Sequence, residues 1–107
     1  MKVLVLSRMW DGESDHGHET VERISVHAED TLNYVKKYSF IGSIIPEVKL
    51  SYDLYNEDDK AIIAKNFEDA EKYLNNYLID DSLGQWFLRI VTPRKTVFYR
   101  IQSRNIH

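Results

Sequence analysis

Six potential metal ligands crowd one short stretch of the chain: Asp11, Glu13, Asp15, His16, His18 and Glu19. A His-x-His pair on extended backbone sends both imidazoles to the same side, and imidazole with carboxylate suits zinc, manganese or iron. A catalytic centre needs about three fixed ligands and an open position. Here the ligands share one glycine-containing segment, and only His27 and His107 offer a distant partner. The plain alternative is a solvated loop, in which Asp, Gly and Ser serve turn geometry. The loop is the better reading, so no metal, cofactor or catalytic residue is expected. A metal-dependent hydrolase using residues 11–19 is the remotest of the functions considered.

Other chemistries find less support. There is no cysteine, which excludes thiolate nucleophiles, thiolate zinc sites and disulfides. No Gly-x-Ser-x-Gly elbow and no glycine-rich phosphate loop occurs. The carboxylate pairs Asp58-Asp59, Glu68-Asp69 and Asp80-Asp81 stand where turns and helix starts want them, with no apolar pocket signalled to raise one pKa.

Charge is distributed more tellingly. Residues 1–81 hold all 17 acids and nine bases, a formal −8, whereas residues 82–107 hold five bases and no acid. Those bases are Arg89, Arg94, Lys95, Arg100 and Arg104, interleaved with Trp86, Phe87, Phe98 and Tyr99. Alternation puts Arg89 on one face with Phe87 and Val91, and Arg100 with Phe98. A basic, aromatic hairpin over residues 85–104 can track a nucleic-acid backbone and stack bases. The net charge of −3 opposes that reading.

Thirteen aromatics, seven of them Tyr, exceed the needs of a small core. Tyr and Trp anchor protein interfaces because they bury area and keep a polar tip. Trp10 stands at the mouth of the acidic loop, and Tyr55 falls on the wet face of its strand. Tyr34 and Tyr73 occupy matching helix positions and are expected to point away from the sheet.

The elements that must carry these groups follow from periodicity. Residues 2–9 and 19–27 read as strands joined by the loop 10–18. Residues 29–38 turn helical, with Leu32, Val35 and Tyr38 on one side, acids in the first turn and lysines in the last. Residues 47–55 alternate as a strand. Residues 60–65 read as a short strand, with a helix start as the alternative, and Asn66 caps a helix over 67–78. Residues 85–92 and 96–102 are strands around a Pro93-Arg94 turn, and residues 103–107 are expected to fray. The two helices echo each other: residues 29–38 and 68–77 agree at four of ten positions. The order is therefore ββα-ββα-ββ, consistent with an internal duplication. The expected fold is α+β: one domain over 1–107, with a mostly antiparallel sheet of four to six strands and two helices on one face.

Its opening, Met1-Lys2-Val3-Leu4-Val5-Leu6, with a Gly/His/acid loop, a strand over 20–26 and a capped helix, resembles small phage and prophage accessory proteins over residues 1–38. The resemblance implies an accessory or inhibitor protein that binds a host protein such as a defence nuclease. It carries no site residue across. Together with the residues, it leads to a non-enzymatic, cytoplasmic protein that binds a partner protein through Trp10, Asp11, Asp15, His16 and His18, with Tyr55, Arg89, Arg94 and Arg100 as further contacts. Nucleic acid is the alternative partner. No membrane association is expected, since no apolar run reaches the ~18 residues a span requires. The chain is expected to be a monomer or a homodimer, the latter through an edge strand.

Overall fold

Runs of alternating or continuous Val, Leu and Ile form the strands, and acid-headed amphipathic stretches form the helices. A computed structural model describes residues 2–9, 19–39, 46–51, 62–79, 84–93 and 96–105. In chain order these hold β1 (Lys2–Met9), β2 (Glu19–Ser25), α1 (Ala28–Ser39), β3 (Glu47–Ser51), β4 (Ile62–Ala64), α2 (Phe67–Ile79), β5 (Gln85–Val91) and β6 (Thr96–Asn105). The strands make one antiparallel sheet of six, ordered β2-β1-β6-β5-β3-β4. The expected α+β architecture and element order hold. Residues 62–64 are strand, which settles the choice left open there. The far parts of the 47–55 and 60–65 segments lie outside the described residues.

Two expectations need correction. Residues 103–105 do not fray: β6 continues to Asn105, and Lys2 pairs with Asn105. Ser103 also bonds across to Gly84, whose N–H donates to the Ser103 hydroxyl oxygen at 2.8 Å. The second strand stops at Ser25, because α1 begins at Ala28 and the His27 carbonyl accepts the first helical bond, from Thr31 N–H at 3.4 Å.

Both helices cover one face of the sheet and share a single core. Leu4 and Leu6 of β1, Ile101 of β6, Trp86, Leu88 and Ile90 of β5, and Val48 and Leu50 of β3 supply the sheet side. Leu32 and Val35 of α1 and Ala70 and Leu74 of α2 close it from above. Every second residue of β5 and β6 is buried, and this period of two fixes which side chains lie on the opposite, helix-free face. Gly84 has a packing reason. A Cβ there would stand 3.1 Å from the Trp86 ring, a tight contact that the buried indole would have to give way to by a few tenths of an ångström.

The echo between the helices extends to the strands. β2 carries a bulge at Glu22, since Leu6 faces Arg23 and Ser7 faces Val21. β4 carries one at Ile63, since Leu50 faces Ala64 and Ser51 faces Ile62. Each bulge follows a buried leucine on the partner strand. The helix alignment holds as well. Thr31 and Ala70 are matched, fully buried and bonded back to His27 and Asn66, and Val35 matches Leu74. The sheet is arranged accordingly, with β2-β1 at one edge, β4-β3 at the other and the β5-β6 hairpin between them.

Candidate binding surface

The helix-free face is built from the residues that alternate with the core. On the two central strands these are Phe87, Arg89 and Val91 of β5, and Thr96, Phe98, Arg100, Gln102 and Arg104 of β6. The register places Phe87 opposite Arg100 and Arg89 opposite Phe98. Each arginine therefore meets the ring across the strand gap. The Arg89 guanidinium carbon lies 5.6 Å from the Phe98 centroid, and that of Arg100 lies 5.8 Å from Phe87. A cation over a ring at such distances contributes about 0.5–1 kcal/mol where solvent reaches it. All four side chains are half-buried. They form a checkerboard in which like residues sit on the diagonals, about 7–8 Å apart.

The checkerboard has a sequence signal that hydropathy periods alone miss. Phe87-Leu88-Arg89-Ile90 and Phe98-Tyr99-Arg100-Ile101 share Phe-x-Arg-Ile. On two adjacent antiparallel strands the same pattern gives the alternating array once the register sets each Phe opposite an Arg, because residues two apart share a face.

Around this centre the face continues outward. Ser51 and Lys49 of β3 lie opposite Phe87 and Arg89, and Ser7 and Met9 of β1 lie opposite Arg100 and Phe98. Lys49 Nζ holds Glu47 Oε1 at 3.2 Å along its own strand. Arg104 is exposed and donates to Gln102 Oε1 at 3.3 Å. At the β2 edge, Val21 opposite Ser7 and Ile24 opposite Val5 are 59% and 58% exposed. The described part of this face thus carries Arg89, Arg100, Arg104 and Lys49 against Glu47 and, at the register position opposite Met9, Glu19, while the chain as a whole is −3.

Of the residues singled out from sequence, the structure brings Arg89 and Arg100 together. Trp10, Asp11, Asp15, His16, His18, Tyr55 and Arg94 lie outside the described residues, as do Glu13 and His107. Among the described residues no group of three His, Asp or Glu side chains could hold a metal ion. Among them, too, no helix is long and apolar enough to cross a membrane.

Tyr34 and Tyr73 do not point away from the sheet. Both pack against the core. The Tyr34 hydroxyl donates to Glu22 Oε2 at 3.0 Å, while Tyr73 meets Trp86 edge-on at 6.4 Å between centroids. Burial, and then the bond to the Glu22 carboxylate, raise the Tyr34 pKa above the ordinary phenol value. Tyr34, Glu22, Arg8, Tyr38 and Tyr99 line a recess of about 240 Å³ under α1. That is below the range of about 300–1,000 Å³ usual for ligand pockets. Its carboxylate and one of its phenols already bond each other.

Comparison of the chain with protein-family models, with curated proteins and with solved structures finds no match. The functional reading therefore rests on the residues themselves.

Proposed function

We propose that the protein acts by holding a macromolecule against the helix-free face of its sheet, without turnover. The observation that carries this reading is the Phe87/Arg89/Phe98/Arg100 checkerboard on the two central strands. A guanidinium laid on a ring is held in plane beside it. The rings beside it offer flat apolar area. Such a surface fits a partner that presents both negative charge and planar or apolar groups.

Two occupants have that chemistry. A host or partner protein, as for an accessory inhibitor of a phage or mobile element, is favoured by Val21 and Ile24, which extend the apolar part of the face to the sheet edge. Aromatic side chains, Met and Arg are also the residues enriched at protein interfaces. A nucleic acid is favoured by the positive balance of the face. Both are reached with one variant pair. Tagged protein is used to recover partners from lysate, with and without nuclease treatment, beside Arg89→Glu/Arg100→Glu. The wild type should retain a partner that the double variant loses. Equal recovery by a double variant that melts like the wild type overturns the assignment of this face.

A further inference from the structure

Beyond what the helix-free face binds, we infer that β2 pairs antiparallel with β2 of a second copy of this chain, Val21 lying opposite the partner's Ile24, so that the two sheets join about a two-fold axis. The first support is where apolar area is left uncovered. The large hydrophobic side chains exposed among the described residues are Val21, Ile24, Val26 and Tyr38. Val21 and Ile24 stand on β2, Val26 follows it, and Tyr38 lines a groove of about 270 Å³ between α1 and Arg23 of β2. All four gather at one border of the sheet, where β2 has a neighbour on one side only among the described residues. Apolar groups exposed together in this way mark contact sites.

The second support is backbone direction. Ser103 N–H donates to the Gly84 carbonyl at 3.0 Å. Odd-numbered residues of β6 therefore turn their backbone groups to β5, and even-numbered ones to β1. Carried through the registers, Leu4, Leu6 and Arg8 of β1 face Ser25, Arg23 and Thr20 as the bonded pairs with β2. Val21 and Ile24 are left with N–H and C=O directed away from β1, toward the open side of the sheet.

The third support says what lies there. An ordinary strand laid along this edge would lose step at the Glu22 bulge, and bulges are one device that keeps edges from pairing indiscriminately. A second copy carries the same extra residue. With Val21 opposite the partner's Ile24, bulge meets bulge, and outward-facing residue meets outward-facing residue. The same register sets Glu22 opposite the partner's Arg23, a favourable pairing where like charges would repel. Glu22 keeps its bond from Tyr34, since a carboxylate accepts more than one donor. Tyr34 lies over this centre, with Asp30 and Lys37 about one turn away on either side, both lining the groove. The two-fold axis runs α1 antiparallel to its copy and turns each Asp30 toward the partner's Lys37. Strand pattern, charge and uncovered apolar area are thus self-complementary, as a contact between identical patches requires.

Sedimentation equilibrium over a wide range of concentration tests the inference. The wild-type mass should climb to twice that of the chain. Ile24→Lys, at an exposed position, should keep the wild-type circular dichroism and raise the dissociation constant about tenfold or more, because each dimer loses two apolar pairs. The register is read with cysteines, which the chain lacks. Across the seam Val21 and the partner's Ile24 form a hydrogen-bonded pair with Cα atoms about 5.5 Å apart, within disulfide reach. Val21→Cys mixed with Ile24→Cys should therefore cross-link under mild oxidation much faster than either variant alone. A wild type of single-chain mass at every concentration overturns the inference. So does a dimer that Ile24→Lys leaves intact, or a mixture that cross-links no faster than its parts. The lysate test of Arg89→Glu/Arg100→Glu reads a different surface, so the dimer can fall while the helix-free face stands.

Discussion

The two ββα units use one backbone plan and fill it differently. In the first, the bulge residue is Glu22, and the helix tyrosine, Tyr34, reaches it with a hydrogen bond. In the second, the bulge residue is Ile63, which packs on the core, and the matching Tyr73 lies edge-on to Trp86. The first helix starts at His27, which is not a residue type that caps well. The second starts at Asn66, whose side-chain oxygen accepts from Asp69 N–H at 2.7 Å while its amide donates to the Asp69 carboxylate at 3.0 Å. The second unit is thus held by apolar packing and a reciprocal cap, and the first by a polar link that reaches solvent. Matching backbones do not imply matching energetics.

The sharpest way to break this comparison is at its apolar centre. Trp86 is 1% exposed, and Trp86→Ala should cost about 3–5 kcal/mol, a large fraction of the stability of an ordinary domain. Val97 occupies the matching place in the Phe-x-Arg-Ile repeat, and Val97→Ala should cost roughly half as much or less. Urea melts of the two variants, with equal slopes, check the ratio. The helix starts give a smaller contrast. Asn66→Ala should lower stability by about 1 kcal/mol, whereas His27→Ala should stay within about 0.5 kcal/mol of the wild type. Equal losses would show that the reciprocal cap contributes nothing of its own.

The smallest effect is the polar link. Tyr34→Phe should cost about 0.5 kcal/mol near neutral pH, since solvent reaches the site. Its pH dependence is more telling. The folded-state phenol pKa is raised, so the contribution is complete below the ordinary phenol value and is lost as pH climbs through the raised one. Wild-type melting temperature should therefore drop in that alkaline window more steeply than that of Tyr34→Phe. Parallel curves would mean that the phenol ionises as it does in the unfolded chain.

Much of this fold is written in hydropathy periods. Residues 86–91 alternate buried and half-buried, so both the strand and the companions of Arg89 are readable one residue at a time. The contact between Arg89 and Phe98 is not. It depends on register, which is decided by the turn and by the packing of both strands. The last stretch of β6 was illegible for a related reason. Ser103, Arg104 and Asn105 are weak strand formers, and their conformation is imposed by pairing with β1 at the other end of the chain. A tyrosine at the flank of an apolar stripe satisfies either solvent or core, and Tyr34 and Tyr73 take the core through partners on other elements, Glu22 for the one and Trp86 for the other. The bulges leave no mark in a sequence where Glu22 and Ile63 share nothing chemically.

One feature of the strand order bears on how the molecule comes into being. β1 is flanked by β2 on one side and by β6 on the other, and the β1–β6 ladder runs from Lys2 with Asn105 to Met9 with Phe98. While the chain is being synthesised, the first hairpin can form early, but its inner border waits until β6 has left the ribosome. Contacts of such separation make folding slow, and the waiting border exposes unpaired backbone groups that could join a neighbouring nascent chain. The step that joins the β2-β1 pair to the rest of the sheet thus waits for β6 to be made.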